Sequence, residues 1–466
     1  MSKKAWAGRF TESNSPLFEK MNRSLDFDIK MFREDIALNI AYSKELNRIG
    51  ILSSKDYLAI AAGLAELEKE IEKKGIDIFP EDTEDIHMGI ESLLSEKIGD
   101  VAKKIHAGKS RNDQVATDVR MYLFNQVNKI IDELCKLLAA LSNLAENNQD
   151  AVMPGFTHLR QAQPVLFSHY ILSFFFSMSR DVERFSDSLD RISTLPLGSA
   201  ALAGSAYPLN RDNLRTDLHF RRISCNSMDG VLSRDFLLET LSNISILSIT
   251  LSRLAEDFIL FSSEQYGFFD LSDKVTTGSS IMPNKKNPDS LELTRGKTGR
   301  VIGNMTGLFV TLKGLPSTYN KDLQEDKEAV FDSIETIIDV LQVTTILIDS
   351  MKINKEKMRA SIDSLSFATE LADFLAKSGL PFREAHHIVG HIVLDMVNQK
   401  RELTSLSEND LLRYSEYFTN IGDEWGDIEK FLAKRELPGG TGREAVKREL
   451  KEAALLLERW SLKNAE

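Results

Sequence analysis

The chain has 466 residues, of which 42% are apolar and 27% charged, and its formal net charge is −12. That length allows about three domains of ~150 residues each, and the apolar fraction can fill a substantial core. Because an acidic surface repels both nucleic acid and anionic membranes, we expect neither as a partner.

Signals of secretion, disulfide bonding and membrane insertion are weak in this sequence. Cys135 and Cys225 lie far apart and belong to no CxxC pair or Cys/His cluster, so neither a disulfide framework nor a zinc module is predicted. The opening MSKKAWAGRF lacks the apolar stretch of a secretory signal. The apolar stretches 171–178 and 337–348 are too short or too interrupted to span a bilayer. We therefore expect a cytoplasmic protein without a membrane anchor.

Long helices dominate the predicted secondary structure. Three proline-free stretches, 81–153, 209–282 and 317–380, are rich in helix-forming residues. From Asp113 to Leu144 the apolar residues recur at steps of three or four, which predicts one helix roughly 45–50 Å long.

Two more long helices are predicted, from Leu241 to Phe261 and from near Pro288 toward Leu312. Runs of alternating β-branched residues are nearly absent, so the sequence predicts an all-α fold. Helices of this length pack most simply side by side in a bundle. We expect three helical domains, at 1–110, at 111–362 with the long central helices, and at 363–466.

Capping signals mark the starts of two of these helices. Ser110 followed by Asp113 has the form of a capping box, which would start a helix at Arg111. Asn287 followed by Pro288 predicts a second start, with Asn287 as the cap and Pro288 as the first helical residue.

The loops before these two helices, 106–113 and 278–288, are rich in basic and amide side chains. At the positive end of a helix dipole such groups attract carboxylates. The alternative is that these loops only cap their helices and bind no ligand. The second loop, GSSIMPNKKNP, also carries the apolar residues Ile281 and Met282, which a mere connector does not need. Its small residues predict a loop that closes over a ligand, and its lysines predict that the ligand is an anion.

GSSIMPNKKNP resembles the signature loop of the fumarase, aspartase and argininosuccinate lyase superfamily, whose members eliminate fumarate from succinyl-bearing substrates. Further segments resemble argininosuccinate lyases in particular, and they are distributed from the first ten residues into the last hundred, so the resemblance extends over essentially the whole chain. They are WAGRF near the start, MNRSLDFD at 21–28, HAGKSRNDQVATD at 106–118, PGFTHLRQAQPV at 154–165, TYNKDLQEDKEAVFD at 318–332 and REAHHIVG at 383–390.

The chain departs from the family pattern in two places. The family usually reads THLQ, then a variable residue, then AQP, whereas this chain has Arg160 and Gln161. Near Ile36 the family often has Gly-Ser, and here Leu38 and Asn39 stand instead. Neither departure falls on a residue expected to perform the chemistry, although Arg160 adds a charge close to one.

The resemblance implies a reversible elimination of fumarate from argininosuccinate that leaves arginine, as in arginine biosynthesis. Removal of a proton next to a carboxylate, with expulsion of a guanidinium nitrogen, passes through a doubly charged aci-carboxylate. The site therefore needs a base, cationic groups for the developing charge and a donor on the leaving-group side. Side chains can supply all three, so neither a cofactor nor a metal is expected.

The resemblance also implies the catalytic residues. Ser279 is the expected base, and it needs positive potential from Lys285, Asn287 and the following helix because a serine hydroxyl is a weak base in water. His158 is expected on the leaving-group side, with Glu292 orienting its ring. A loop serine or a lone histidine is more often structural, and the family segments around these two favour catalysis.

Substrate recognition must account for three carboxylates, an amino group and a guanidinium. The resemblance assigns these contacts to Ser24, Arg111, Asn112, Thr157, Asn287, Tyr319, Gln324 and Lys327. Gln324 and Lys327 are three positions apart, so on a helix they share one face. The alternative is that this segment is an ordinary solvated helix surface.

The other histidines carry weaker signals. His387 and His391 have the spacing of zinc ligands on a helix, but no HExxH glutamate or nearby third ligand accompanies them and their apolar neighbours predict a packed helix. We therefore expect no metal there. His106 lies beside the predicted site, and His87 has no predicted role.

Alternatives remain inside and outside the superfamily. A fumarase or an adenylosuccinate lyase is the closest rival, and a non-catalytic scaffold is a rival of another class, because the tetramer of this family also serves as a lens structural protein. A nucleotide-binding enzyme is disfavoured, since neither GxxxxGK[ST] nor a strand-linked GxGxxG appears. The resemblance implies a homotetramer whose long central helices form a common core, with each active site drawing segments from three chains.

Overall fold

A computed structural model describes residues 12–463 of the chain. The WAGRF segment, which carries part of the family resemblance, lies outside the described residues. Within them, eighteen α-helices are joined by loops, eight short strands and short 3₁₀ segments. The prediction of an all-α fold is confirmed.

The elements up to the first long helix form a helical amino-terminal region. They are α1 (Pro16–Asn22), α2 (Leu25–Asp28), α3 (Phe32–Arg48), α4 (Ser54–Lys74), α5 (Ile86–Ile98) and α6 (Arg111–Glu146). Short 3₁₀ helices cover Ile29–Met31, Gly75–Ile78 and Gly99–His106.

The middle of the chain contains four more long helices and most of the strands. Its elements are β1 (Val152–Thr157), β2 (Arg160–Leu166), α7 (Phe167–Ile192), β3 (Thr194–Leu195), α8 (Arg211–Asp217), β4 (Arg222–Ile223), α9 (Ser227–Leu232), α10 (Asp235–Ser262), β5 (Phe269–Asp270), β6 (Thr277–Gly278), β7 (Lys286–Asn287), α11 (Asp289–Leu312) and α12 (Asp326–Ser350). Short 3₁₀ helices cover Asp273–Val275 and Lys321–Glu325.

The carboxy-terminal part consists of shorter helices and one closing strand. Its elements are β8 (Lys352–Ile353), α13 (Lys355–Ala360), α14 (Ala368–Lys377), α15 (Phe382–Gln399), α16 (Glu408–Leu411), α17 (Ile428–Ala433) and α18 (Arg443–Lys463). Short 3₁₀ helices cover Ser364–Phe367, Leu403–Ser405 and Glu416–Phe418. The strands pair as β1–β2, β5–β8 and β6–β7, all antiparallel, and as parallel β3–β4.

The predicted start of the first long helix is confirmed. The backbone N–H of Ser110 donates to Oδ1 of Asp113 over 2.9 Å, and the N–H of Asn112 donates to Oγ of Ser110 over 3.2 Å. α6 therefore begins at Arg111, as the capping box predicts, and runs for 36 residues. The helix predicted from Leu241 is also present, within the longer α10.

The predicted start of α11 is wrong by one residue. Asn287 does not cap the helix, because it pairs with Thr277 in the β6–β7 ladder. Pro288 precedes the first helical residue, Asp289, and its carbonyl oxygen accepts the N–H of Glu292 over 3.1 Å. The strand pairing, which short-range helix signals do not reveal, moves the boundary.

The chain forms two compact units. The first unit comprises the described residues of Met1–Ile131, Glu183–Ile246 and Gly299–Ile337. The second unit comprises the described residues of Asp132–Val182, Leu247–Thr298 and Ile338–Glu466. Each of the five long helices α6, α7, α10, α11 and α12 thus contributes one stretch to each unit. The predicted domain boundaries after residues 110 and 362 stay predictions.

The core of the first unit is mainly aliphatic. α4 buries Ile60, Leu64, Leu67 and Ile71, whose spacing of three or four places them on one helix face. Residues of α3 and α5, and of the segment 195–220, complete the same apolar cluster.

The core of the second unit is aromatic next to the β1–β2 hairpin. Phe156 of β1 lies 5.7 Å from Phe261 and 5.8 Å from Tyr266, measured between ring centroids. Phe261 in turn contacts Phe268 and Phe269. These packed rings hold the hairpin strand immediately before Thr157.

Among residues 12–463, no helix combines the length and the apolar composition that crossing a membrane requires. Helix α15, which carries the two spaced histidines, buries Val389 and Ile392 on one face. His387 and His391 are exposed on the same helix, with ring centroids 4.6 Å apart.

Candidate active site

Six of the predicted substrate residues line one cavity of about 180 Å³ in the first unit. They are Ser24, Arg111, Asn112, Tyr319, Gln324 and Lys327. They come from the cap of α2, the first turn of α6 and the segment that leads into α12. Gln324 links two of these segments directly, because its side-chain amide donates to the carbonyl of Asn22 over 3.3 Å.

Lys327 is the buried cation of this cavity. Its ammonium lies 3.1 Å from Oδ1 of Asp326, whose other oxygen accepts from Nε of Arg234 over 2.5 Å. Burial would lower the pKa of Lys327, but the carboxylates of Asp326 and Asp28 outweigh burial and raise it. Lys327 therefore stays charged in surroundings of low polarity, where its attraction for a carboxylate is strong.

Arg111 supplies a second, more exposed cation. Its guanidinium binds Oδ2 of Asp85 over 3.1 Å. The other oxygen of Asp85 accepts the backbone N–H of Met88 over 2.7 Å and so caps α5. This chain of contacts fixes the direction of Arg111, and the guanidinium retains further N–H donors for a ligand.

Two acids, the buried Asp28 and the half-buried Glu84, face the same cavity. Ser24 donates its hydroxyl proton to Oδ2 of Asp28, while Oδ1 of Asp28 and Oε2 of Glu84 are buried without a hydrogen-bond partner among the described residues. Burial raises the pKa of Asp28, against the opposing charge of Lys327. The cavity thus offers acceptor oxygens beside its cations, which suits a ligand that carries both signs of charge.

His87 also lines the cavity and belongs to a buried ionic cluster. Its Nδ1 lies 2.7 Å from Oδ1 of Asp35 and 3.4 Å from Oδ2 of Asp118. Burial would raise the pKa of Asp35, but the charge and hydrogen bond of His87 lower it to about 2. Burial would lower the pKa of His87, but Asp35 outweighs burial and raises it. Burial, with the charge of Asp35, raises the pKa of Asp118 well above its usual range.

Asn112 is held in place by the residue that follows it. Oδ2 of Asp113 accepts the backbone N–H groups of Gly198 and Ala200 over 2.9 and 2.8 Å, which draws this loop against the start of α6. Asn112 then donates its side-chain amide to the carbonyl of Ala201 over 3.1 Å. Burial raises the pKa of Asp113 to about 6, although these backbone donors oppose the change.

In the second unit, Thr157 and His158 lie at the tip of the β1–β2 hairpin. His158 and Leu159 form its two-residue turn with φ values of 54° and 57°. Two consecutive left-handed residues define the turn type that matches strand twist, but Asn and Gly usually occupy it. A strained histidine at an exposed turn points to a functional constraint. Thr157 therefore lies at the tip of a strand hairpin and not at a helix end.

Ser279 follows the strand β6 in the same unit. Its Oγ accepts the backbone N–H groups of Ile281 and Met282 over 3.3 and 3.1 Å. Asp289 binds the N–H and hydroxyl of Thr277 over 3.2 and 2.5 Å, which closes the base of the loop. The loop thus directs backbone donors at the Ser279 oxygen, where they favour a negatively charged form.

The second unit carries six of the predicted site residues, namely Thr157, His158, Ser279, Lys285, Asn287 and Glu292. Within the described part of one chain, His158 forms no hydrogen bond with Glu292. The predicted orientation of the histidine ring by this carboxylate stays a prediction.

Comparison with known proteins gives two family matches and close relatives. A lyase family model matches residues 8–303, and an argininosuccinate lyase C-terminal model matches residues 365–433. The argininosuccinate lyase of Acetivibrio thermocellus is 44% identical over 95% of this chain and 97% of its own length. That of Moorella thermoacetica is 43% identical over 97% of this chain and 98% of its own length.

The chain belongs to the argininosuccinate lyase family. It is accordingly a lyase with a small-molecule substrate. The fold of this argininosuccinate lyase family member is similar to that of EDDS lyase in complex with formate, with a TM-score of 0.84, 27% identity and coverage of 98% of this chain and 92% of that one. A class II fumarase from Schistosoma mansoni shares the fold, with a TM-score of 0.73 and 17% identity over 84% of this chain and 88% of that one.

Sequence reasoning missed part of the cavity in this argininosuccinate lyase family member. The cavity is also lined by Asp28, Glu84, Asp85 and His87. Only the positions of these residues in space show that they belong to it. The one available signal was their place beside Ser24 and around the start of α5. His106, at the start of the 106–113 loop, lies with its Nε2 2.6 Å from Oε2 of Glu91.

Proposed function

We propose that this chain catalyses the reversible elimination of fumarate from argininosuccinate to give arginine, as a cytoplasmic homotetramer that needs neither metal nor organic cofactor. The observation that carries the proposal is one cavity in the first unit, which gathers six residues selected from the family resemblance. The names of the relatives support the same substrate.

The cavity of the first unit binds the amino-acid end of the substrate. An α-carboxylate and an α-ammonium group carry opposite charges a few ångströms apart. Lys327 supplies a buried cation in the same cavity. Asp28 and Glu84 each supply a buried acceptor oxygen that has no hydrogen-bond partner among residues 12–463. Gln324, Ser24 and Tyr319 add neutral hydrogen-bonding groups around the ligand.

The loop of the second unit removes the carbon proton. Ser279 acts as the base, and the N–H groups of Ile281 and Met282 stabilise the charge on its oxygen. Lys285 and Asn287, in the same loop, stabilise the aci-carboxylate. His158 assists departure of the guanidinium nitrogen, with Glu292 as the carboxylate that orients its ring.

We infer that active sites are shared between subunits, and exposed side chains of the long helices support this. Large apolar side chains remain exposed on three long helices of the single chain, although helices of soluble monomers rarely present so many. These are Ile246 and Ile249 of α10, Leu293, Phe309 and Val310 of α11, and Val343 and Ile346 of α12. Burial of these residues against other copies of the chain would form a tetramer core.

The turn that contains His158 and the loop that contains Ser279 also expose apolar side chains. Leu159, beside His158, is 74% exposed, and Ile281, near Ser279, is 82% exposed. Apolar residues at such tips favour their insertion against another surface, which in this proposal belongs to a neighbouring subunit.

Fumarate release tests the proposed function directly. The protein is incubated separately with argininosuccinate, malate and adenylosuccinate, and the ultraviolet absorbance of fumarate is followed. We expect turnover of argininosuccinate alone. Turnover of either other substrate in its place would identify a different lyase, and a folded tetramer without any turnover would support a scaffold.

A further inference from the structure

The β1–β2 hairpin places Arg160 beside Thr157. Thr157 and Arg160 are directly opposed in the strand register and flank the turn formed by His158 and Leu159. Side chains of opposed residues in an antiparallel pair project from the same face, with Cβ atoms ~4.5–5.5 Å apart. Arg160 therefore shares a face with a predicted substrate contact and adjoins the histidine turn.

The next residue in the strand has a structural role instead. The side-chain amide of Gln161 donates to the carbonyl of Ser361 over 2.8 Å, and its oxygen accepts the N–H of Asp363 over 2.8 Å. Gln163 adds a bond to Oγ1 of Thr369 over 3.0 Å. These contacts hold the hairpin in the second unit without using Arg160.

Arg160 itself is a cation without a partner. Its side chain is exposed, and it forms no hydrogen bond or ion pair with any residue in the described part of the chain. Other surface cations of the second unit, by contrast, are paired, as Lys286 is with Asp273 over 2.9 Å. An arginine fork presents parallel N–H donors that match the two oxygens of a carboxylate.

We propose that Arg160 binds a carboxylate of the succinyl half of the substrate and so sets the affinity of the enzyme for dicarboxylates. This inference rests on the proposed function, because Thr157 and His158 receive their roles there. Arg160 is a specificity residue in this view. It touches a carboxylate that persists from substrate to fumarate, so it strengthens binding of both and changes the chemical step little.

The test compares Arg160→Gln and Arg160→Lys with the wild-type enzyme. Arg383→Gln is the matched control, since Arg383 is likewise exposed and forms no hydrogen bond or ion pair among the described residues. Succinate, a dicarboxylate that cannot react, serves as a competitive inhibitor. We measure KM, kcat, the inhibition constant of succinate and the melting temperature.

We expect Arg160→Gln to raise KM and the succinate inhibition constant by about tenfold or more, as loss of a charge-assisted hydrogen bond does. The kcat of Arg160→Gln should stay within about threefold of the wild-type value. For Arg160→Lys, KM and the inhibition constant should fall between those of the wild type and Arg160→Gln. Arg383→Gln should match the wild type in all of these constants. Values of KM and the inhibition constant within twofold of wild type would overturn the proposal. So would a fall in kcat and melting temperature with KM unchanged, because that pattern indicates a structural role.

Failure of the proposed function has a different signature. In that case the wild-type enzyme itself does not turn over argininosuccinate. Calorimetric titration with fumarate then decides on Arg160 separately. A loss of affinity of about tenfold in Arg160→Gln supports dicarboxylate binding, and unchanged affinity, or no fumarate binding by the wild type, contradicts it.

Discussion

The ammonium of Lys327 lies 3.1 Å from Oδ1 of Asp326, and both side chains are buried. The same carboxylate binds Arg234 through its other oxygen, so one buried anion compensates two buried cations. The pair stands at the first residues of α12, and it places the cation of the cavity at a fixed point.

Replacing Asp326 by Asn should therefore destabilise the fold and weaken substrate binding together. Removal of one partner leaves the charges of Lys327 and Arg234 uncompensated, which typically costs ~3–5 kcal/mol. The pKa of Lys327 also falls without this carboxylate, so KM for argininosuccinate should rise. Denaturant unfolding and steady-state kinetics measure both effects. Asp322→Asn, at an exposed neighbouring position, is the control, and equal stability of the two variants would contradict the prediction.

Ser279→Ala should fold normally, bind argininosuccinate and lose nearly all turnover, because the groups assigned to binding lie elsewhere. Calorimetric binding and fumarate release measure the two properties separately. Ser280→Ala, in the same loop, is the matched control and should retain most of the activity. If Ser279→Ala kept activity within about tenfold, equivalent to ~1.4 kcal/mol of barrier, Ser279 could not be the base.

Mixed tetramers should recover activity if active sites are shared. Inactive His158→Asn and Ser279→Ala proteins are combined in equal amounts, gently denatured and reassembled. When the two residues of a site come from different chains, about a quarter of the sites in random tetramers receive both intact. Each variant reassembled alone is the control. Absence of recovery in verified mixed tetramers would mean that one chain supplies both residues.

The His87–Asp35 pair should make stability depend on pH in a defined window. The pKa of His87 is raised, so its contribution is full below the unfolded value of about 6.5 and is lost as pH rises through the folded value. The pKa of Asp35 is lowered to about 2, so its contribution is present above the unfolded value of about 3.9 and is lost as pH falls through about 2.

The melting-temperature difference between wild type and His87→Gln should accordingly be largest between about pH 4 and pH 6.5 and shrink on either side. His386→Gln, at an exposed histidine without a hydrogen bond among the described residues, should show no such window. A difference for His87→Gln that is constant from pH 4 to pH 9 would refute the charged pair.

Chelators should leave the activity unchanged, because protein side chains supply the cationic groups that the proposed intermediate needs. The enzyme is dialysed against EDTA and assayed for fumarate release before and after addition of Mg²⁺, Mn²⁺ or Zn²⁺. Activity that disappears with EDTA and returns with one of these ions would overturn the cofactor-free mechanism.

The local sequence determined the long helices of this protein and the residues that carry its family resemblance. Apolar residues at steps of three or four specify a helix face wherever they occur. The capping box at Ser110 is also a short-range signal, and it located the start of α6 correctly. The sequence signals for strand pairing, which depends on a second segment of the chain, were weaker. The β1–β2 hairpin has no run of alternating β-branched residues, and the pairing of Asn287 with Thr277 moved the start of α11 by one residue.

Tertiary structure alone decided which charged groups meet. Asp28, Glu84 and His87 give no chemical signal in the sequence, yet they line the same cavity as Lys327, far along the chain. Burial then shifts the pKa of Asp28 upward, while close partners keep Lys327 charged. Electrostatic interactions depend on separation in space and on access to water, and chain order specifies neither. The helices can therefore be predicted from the sequence, whereas the arrangement of charges around the cavity is established only in the folded chain.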